Sequence, residues 1–258
     1  MMLRRLGNKT KIAADIYKFF PKHTTRIILF FGAGGDFFNM PKAKYTFMND
    51  YDNNVYLCFD VLMRRKTELI EYIKMMPIHQ SFFDEAKTRQ PDNEIEKVVY
   101  FLMLSNFGFL GKPDTLKLGL GNSKKILLEN IQKSYKTLVE NSNYFLNEDF
   151  RNVIKKISIM DKIKIENILI YSDPPYLDTT NNYNLGVWTE QDVIDCFDVT
   201  FNSGFKGAMS EFDHPFILQQ AKERNLNVHI IGERTNLKNR KTEILITNYK
   251  TQPTLFDF

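Results

Sequence analysis

The sequence predicts an α/β domain with a mostly parallel sheet, a closing antiparallel hairpin and an inserted helical subdomain. Three observations predict it. Short β-branched and aromatic runs alternate with amphipathic helical patterns in the first and last thirds of the chain. A glycine turn, Gly32-Ala33-Gly34-Gly35, directly follows the first such run. Residues 67 to 150 abandon the alternation and read as helices. At 258 residues the chain holds one large domain, or a core domain with an insert. The expected division is 1–62 with 151–258 as the core and 63–150 as the insert.

Composition narrows the class of partner. A net charge of +4 and a pI near 8.8 permit a polyanion without demanding one. No apolar run approaches the roughly 20 residues that span a bilayer, so no membrane segment is expected. Met1-Met2-Leu3-Arg4-Arg5 leads straight into polar sequence, so no signal peptide is expected either. Cys58 and Cys196 are far apart and the four histidines show no ligand spacing. A reduced cytoplasmic protein with no metal is the expectation, both thiols lying in the core.

Leu3 to Lys9 reads as a loop that enters a helix carrying Ile12, Ile16, Phe19 and Phe20, ended by Pro21. Lys9 reads either as a solvated lysine at the helix start or as the partner of a carboxylate. Arg26 to Phe31 is the first strand, and the glycines after it let a nucleotide-like ligand approach the backbone. Tight strand-to-helix turns also use glycine without any ligand. Tyr45 to Met48 is the second strand, followed by Asn49-Asp50-Tyr51-Asp52-Asn53. Asp50 stands where an acid binds ribose hydroxyls, and Asp52 or Asn53 caps the next helix. Arg64-Arg65-Lys66 reads as a solvated helix end or as a phosphate contact.

Within the insert, helical patterns run from Leu69 to Met76, Glu94 to Leu104 and Lys124 to Glu140. Its lysines and aromatics suit groove contact and stacking, or equally a plain helical lid. The alternation resumes at Val153, with Ile157-Ser158-Ile159 as a short strand ending near Asp161. Ile168 to Tyr171 is the next strand. A polar loop to Gly186, a helix from Glu190 to Phe201 and a strand from Lys206 to Ser210 come after it. A helix from Pro215 to Arg224 precedes the final hairpin, Val228 to Gly232 and Glu243 to Tyr249.

Asp173-Pro174-Pro175-Tyr176, at the end of the Ile168 run, carries the chemistry. The prolines fix φ and give no N–H, which leaves their carbonyls free to accept. With a carboxylate and a flat ring beside them, the stretch suits a planar amine-bearing group such as an extruded adenine. A proline-rich turn with a capping aspartate is the plainer reading of the same four residues.

Together these residues resemble the Dam-type (D12 class, alpha group) DNA adenine-N6 methyltransferases over nearly the whole chain. Leu6-Gly7-Asn8-Lys9 is similar to the family's N-terminal glycine–lysine motif. Phe31-Gly32-Ala33-Gly34-Gly35 resembles its cofactor loop, and Asn49-Asp50-Tyr51-Asp52 its ribose-binding segment. Thr179 to Trp188, with Tyr183-Asn184, looks like the loop after its catalytic motif, and Glu243 to Tyr249 like its closing strand. The resemblance implies a Rossmann-like, seven-stranded class I methyltransferase sheet with a target-recognition insert. It implies methyl transfer from S-adenosylmethionine to adenine N6 in double-stranded DNA, by a cytoplasmic enzyme of bacterial or phage origin.

On that resemblance, Asp173, Pro174, Pro175 and Tyr176 are catalytic. Arg5, Lys9, Gly32, Gly34, Asp50, Asp161 and Asp173 hold the cofactor, with Asp161 near its adenine end. Arg5, Ile28 and Lys162 depart from the family pattern, which keeps a catalytically impaired DNA-binding protein as one alternative. An RNA base methyltransferase with the same tetrad is the other. Gln252-Pro253-Thr254-Leu255-Phe256 resembles the peptide by which partners dock on the replication sliding clamp, and equally suits a tail packed on its own domain.

Overall fold

A computed structural model describes residues 1–5, 7–109, 113–119, 121, 123–140, 142–159, 167–177, 186–235 and 240–251. The first two apolar runs form β1 (Thr25–Ile28) and β2 (Tyr45–Asn49). Ser142–Leu146 forms β3, and the run before Asp173 forms β4 (Ile168–Ser172). β5 (Lys206–Phe212), β6 (Asn227–Thr235) and β7 (Arg240–Thr247) complete the set. Among the described residues these strands make one sheet in the order β3-β2-β1-β4-β5-β7-β6. The first five are parallel. β7 runs antiparallel to both β5 and β6, between them. This is the Rossmann-like sheet that the resemblance implied.

Helices cover both faces, which is why the central strands are apolar on both sides. Four flank the insert side: α1 (Ala13–Tyr17), α2 (Gly35–Asn39), α3 (Asn53–Met75) and α4 (Gln80–Thr88). Ile28 and Met48 of the sheet join the core made by α3 with α5 (Glu94–Phe107) and α6 (Lys124–Val139). Leu169, Tyr171, Ala208 and Leu245, farther along that face, pack under α1. Ile27, Phe47, Ile170 and Met209 pack on the opposite face. There they meet α7 (Phe150–Ser158), α8 (Glu190–Phe201) and α9 (Pro215–Glu223). No helix among the described residues is long and apolar enough to cross a membrane.

Two expectations are corrected. Residues 157–159 are not a strand: Phe150, Val153 and Ile157 are buried at helical spacing in α7, and Asp149 caps that helix by accepting from the Arg151 N–H at 2.9 Å. The third strand is Ser142–Leu146, paired in parallel with β2 from Tyr45↔Ser142 to Asn49↔Leu146. Residues 142–146, which the expected insert of 63–150 contained, therefore belong to the sheet. Arg64 and Arg65 also do not end a helix. α3 continues through a kink at Arg65 (φ −133°, ψ 35°). Their guanidinium groups are held by Asp60, Glu94 and Glu68.

The N-terminal segment ties the insert to the core. Met2 and Leu3 are fully buried. The Arg4 N–H donates to Ser105 Oγ at 3.0 Å, and Ser105 Oγ donates back to the Arg4 carbonyl at 2.7 Å. Asn106 Nδ2 donates to the Met2 carbonyl at 3.0 Å. Both side chains belong to α5, so a helix of the insert pins the stretch that leads into Lys9. Ser105→Ala removes the hydroxyl that serves both the N–H and the carbonyl of Arg4 and is expected to cost about 1–3 kcal/mol of stability, readable as a lower urea midpoint with an unchanged slope.

Candidate active site

The strand order reverses between β1 and β4, and the carboxyl ends of those strands frame the crevice where parallel α/β sheets bind ligands. The loops leaving β1, β2 and β4 therefore meet there. Phe31 opens the glycine loop, with its N–H on the Asn49 carbonyl at 2.8 Å. Gly34 sits in the left-handed region at φ +71°, where a Cβ would strike the rings of Phe31 and Phe38. Gly32 is also left-handed, at φ +53°, and a Cβ there would meet nothing within 4 Å. Gly34 is thus required by internal packing, whereas the space beside Gly32 is open to a ligand.

Asp50 stands beside this loop. Its Oδ2 accepts the Gly32 N–H at 2.6 Å and its Oδ1 accepts the Asp52 N–H at 2.9 Å. Burial pushes its carboxyl up, against the pull of Arg5 and of those two N–H groups. Arg5 itself is held by Asp52 at 2.7 Å. Asn49, not singled out from sequence, ties three strand ends together. Its Nδ2 donates to the carbonyls of Leu29 and Glu148, each at 3.0 Å, and its Oδ1 accepts the Glu148 N–H at 3.0 Å.

Lys9 is not a solvated helix-start lysine. Asn8 caps the short 3-10 turn Lys9–Lys11 by accepting the Thr10 N–H at 3.1 Å. A Cβ on Gly35 would collide with the Asn8 side chain, so the glycine loop and this cap are fitted to each other. The Lys9 side chain is 2% exposed, with Nζ 2.7 Å from Asp173 Oδ1 and 3.1 Å from Glu243 Oε1. Nζ also lies 4.6 Å from the centre of the Tyr176 ring. Of the tetrad, Pro174 and Tyr176 are buried and Asp173 is a fifth exposed. Burial pushes the Asp173 carboxyl up, Lys9 pulls it down and Glu243 pushes it up again. The Tyr176 hydroxyl donates to Glu243 Oε1, and its ring meets Phe212 edge-on at 4.6 Å. Burial raises the Tyr176 hydroxyl well above its ordinary value, so it stays a donor.

Asp161 and Lys162 lie outside the described residues, as do Tyr183, Asn184 and the tail 252–258. Asp161 rested on a strand at 157–159 that is α7. The carboxyl end of β3 instead carries Glu148-Asp149-Phe150, an acid followed by an aromatic. Phe150 packs on Phe30 at 5.1 Å, and Trp188 meets both rings at 5.7 Å. The signal available in sequence was the Phe150, Val153, Ile157 spacing, which marks a helix and pushes the preceding strand back to Ser142–Leu146. No group of three His, Cys, Asp or Glu side chains among the described residues is arranged to hold a metal ion.

Residues 6–246 match the family model for D12 class N6 adenine-specific DNA methyltransferases. The chain is 23% identical over 290 residues to the modification methylase StsI of Streptococcus sanguinis, covering 97% of this chain and 43% of that protein. It is 24% identical to the modification methylase LlaI of Lactococcus lactis subsp. lactis, with 96% and 43% covered. To the type II methyltransferase M1.LlaDCHI of Lactococcus lactis subsp. cremoris it is 22% identical, with 94% and 93% covered. The chain thus spans less than half the length of the first two relatives and nearly all of the third.

One further acid borders the site. Asp36, in the first turn of α2, is 5% exposed, and its Oδ2 has no hydrogen-bond partner among the described residues. Burial pushes its carboxyl up to about 6, with Asp173 adding to the rise and the Phe37 N–H and Arg26 opposing it. Between its ordinary value of 3.8 and about 6, the folded chain keeps a proton that the unfolded chain has released. Stability from this group is therefore present at low pH and lost as pH rises through that window. Asp36→Asn is expected to raise stability at pH 8 by up to ~3 kcal/mol and to have little effect near the acid end of the window, measured by urea unfolding at both pH values.

Proposed function

The chain belongs to the D12 class N6 adenine-specific DNA methyltransferase family, and on that premise we propose that it methylates adenine N6 in double-stranded DNA with S-adenosylmethionine as donor. The observation that supports this reading is the meeting of Asp173 and Lys9, 2.7 Å apart, at the strand-order reversal beside a glycine loop. The open space beside Gly32 and the unpartnered Oδ2 of Asp36 suit a bulky cationic cofactor. Lys9, Gly32, Gly34, Asp50 and Asp173 would hold it, with the Phe30, Phe150 and Trp188 rings as the apolar wall. Arg5 acts at one remove, by fixing Asp52. When bound, the cofactor supplies an electrophilic methyl on a sulfonium.

The chain's own residues handle the amine. The adenine N6 lone pair is delocalised into the ring and is a weak nucleophile. Acceptance of its two hydrogens by Asp173 and the Pro174 carbonyl favours a pyramidal nitrogen and stabilises the positive charge that develops on it. The same carboxylate then stands next to the proton that the methylated nitrogen must shed. Its raised pKa suits it to that step. Tyr176 offers the stacking surface. In this structure its ring is 8% exposed and carries Lys9 on one face, so a base is received only as the corner opens to it.

The helical insert, residues 63–140 once β3 is returned to the sheet, takes the target-recognition role. Extrusion of a base from the duplex costs a few kcal/mol, which phosphate contacts from basic side chains offset. DNA modification, the activity in the names of two of the relatives, is the proposed role, and a bacterial cytoplasm is the proposed setting. Clamp docking by Gln252–Phe256 remains part of the proposal on its motif alone.

Asp173→Ala is expected to abolish transfer of labelled methyl to DNA, a loss on the order of 10³-fold or more, with an unchanged circular dichroism spectrum. Full activity in that variant, or labelling of RNA and not DNA by the native chain, would overturn the reading. Affinity for duplex DNA is expected to fall linearly on a log–log plot against salt. A flat response would exclude a duplex substrate.

A further inference from the structure

We propose that Glu243 is a positioning residue for methyl transfer, holding Lys9 and Tyr176 together at the corner that receives the amine; the inference rests on the methyltransferase reading. Glu243 lies on β7, the strand that runs antiparallel to the neighbour on each of its sides. It is 1% exposed and is followed by Ile244, Leu245 and Ile246, which are buried in the two cores. A carboxylate in such a strand is costly unless it is partnered. Its partners come from far away in the chain: Lys9 Nζ at 3.1 Å and the Tyr176 hydroxyl.

The geometry explains why those partners matter to the reaction. Glu243 sits directly across the ladder from Phe212, whose ring meets Tyr176 edge-on. One rung of the sheet thus fixes the Tyr176 ring by its edge and by its hydroxyl, leaving little torsional freedom for the surface that a base would stack on. Lys9 is shared between Asp173 and Glu243. When an incoming amine takes up acceptor capacity on Asp173, Glu243 still holds the ammonium, so the lysine need not leave the buried corner.

The charged and titratable groups facing Glu243 are Lys9 from the N-terminal turn, Tyr171, Asp173 and Tyr176 from β4 and its end, and Glu211 from β5. Among them Glu243 acts on Asp173 by raising its pKa. Loss of the charge at 243 therefore leaves Asp173 ionised to lower pH, an effect that a purely structural residue would not produce.

The test compares the native chain with Glu243→Gln, Tyr176→Phe, the double variant and Asp173→Ala, using labelled S-adenosylmethionine and duplex DNA. Glu243→Gln keeps the shape and removes the charge. Its kcat is expected to fall tenfold or more, with KM for both substrates within about twofold, and the acid limb of the pH–kcat profile to move to lower pH. The double variant is expected to lose less than the two single effects combined, because both changes act on one linked group of side chains, in which the glutamine amide can still accept from Tyr176. Native kcat with an unshifted limb in Glu243→Gln overturns the inference, and inactivity of Asp173→Ala alongside it leaves the methyltransferase reading standing. Should Glu243→Gln fail to fold, Glu243→Asp decides, because it keeps the charge and withdraws it from Lys9 and Tyr176: native kcat there overturns the inference, and a tenfold fall with KM for both substrates within about twofold supports it. A native chain that methylates neither DNA nor RNA brings down both.

Discussion

A single buried ammonium holds the centre of this molecule. Lys9 lies between Asp173 and Glu243, nearly sealed from water. Removing an ion of that size from water costs several kcal/mol, so the arrangement survives only because two carboxylates and an aromatic face surround it. The lysine and its partners belong to three parts of the chain that share no local sequence: an N-terminal turn, the end of a central strand and the closing strand. Every other feature of the corner is fitted to keep this meeting in place. Asn8 caps the turn that presents the lysine, and Gly35 leaves room for Asn8.

The sheet supplies the second constraint. Parallel strands deliver their carboxyl ends to one edge, and the reversal of order between β1 and β4 opens a crevice there. The loops around it are stitched by side chains that spend their hydrogen-bonding capacity on backbone. Asn49 joins the ends of β1, β2 and β3, and Asp50 closes the glycine loop through Gly32. Ties of this kind hold the loop ends around the crevice in fixed positions. Burial leaves Asp36 and Glu211 with raised pKa values.

Much of this was legible from residues alone. The helix at Glu190–Phe201 reads cleanly because Thr189 and Asp192 form a capping box ahead of buried Val193, Cys196 and Phe197. The corner at Asp173 reads because its residue types have few other uses in that order. β3 did not read because it is a short edge strand, with no glycine or proline separating it from the helix before it. Asn49 and Glu243 did not read as tie points because what they join is set by tertiary approach. Asn49 meets residues about a hundred positions away and Glu243 meets a lysine at the other end of the chain. Lys9 was ambiguous for the same reason, until its burial excluded a solvated role.

The clasp between Met2–Arg4 and Ser105–Asn106 bears on how such proteins diversify. The insert is not a cassette joined to the core only at its two ends. It also grips the stretch of chain that arrives at Lys9. A chimera that exchanged the insert with that of a relative would have to carry its matching N-terminal stretch along, or lose the grip.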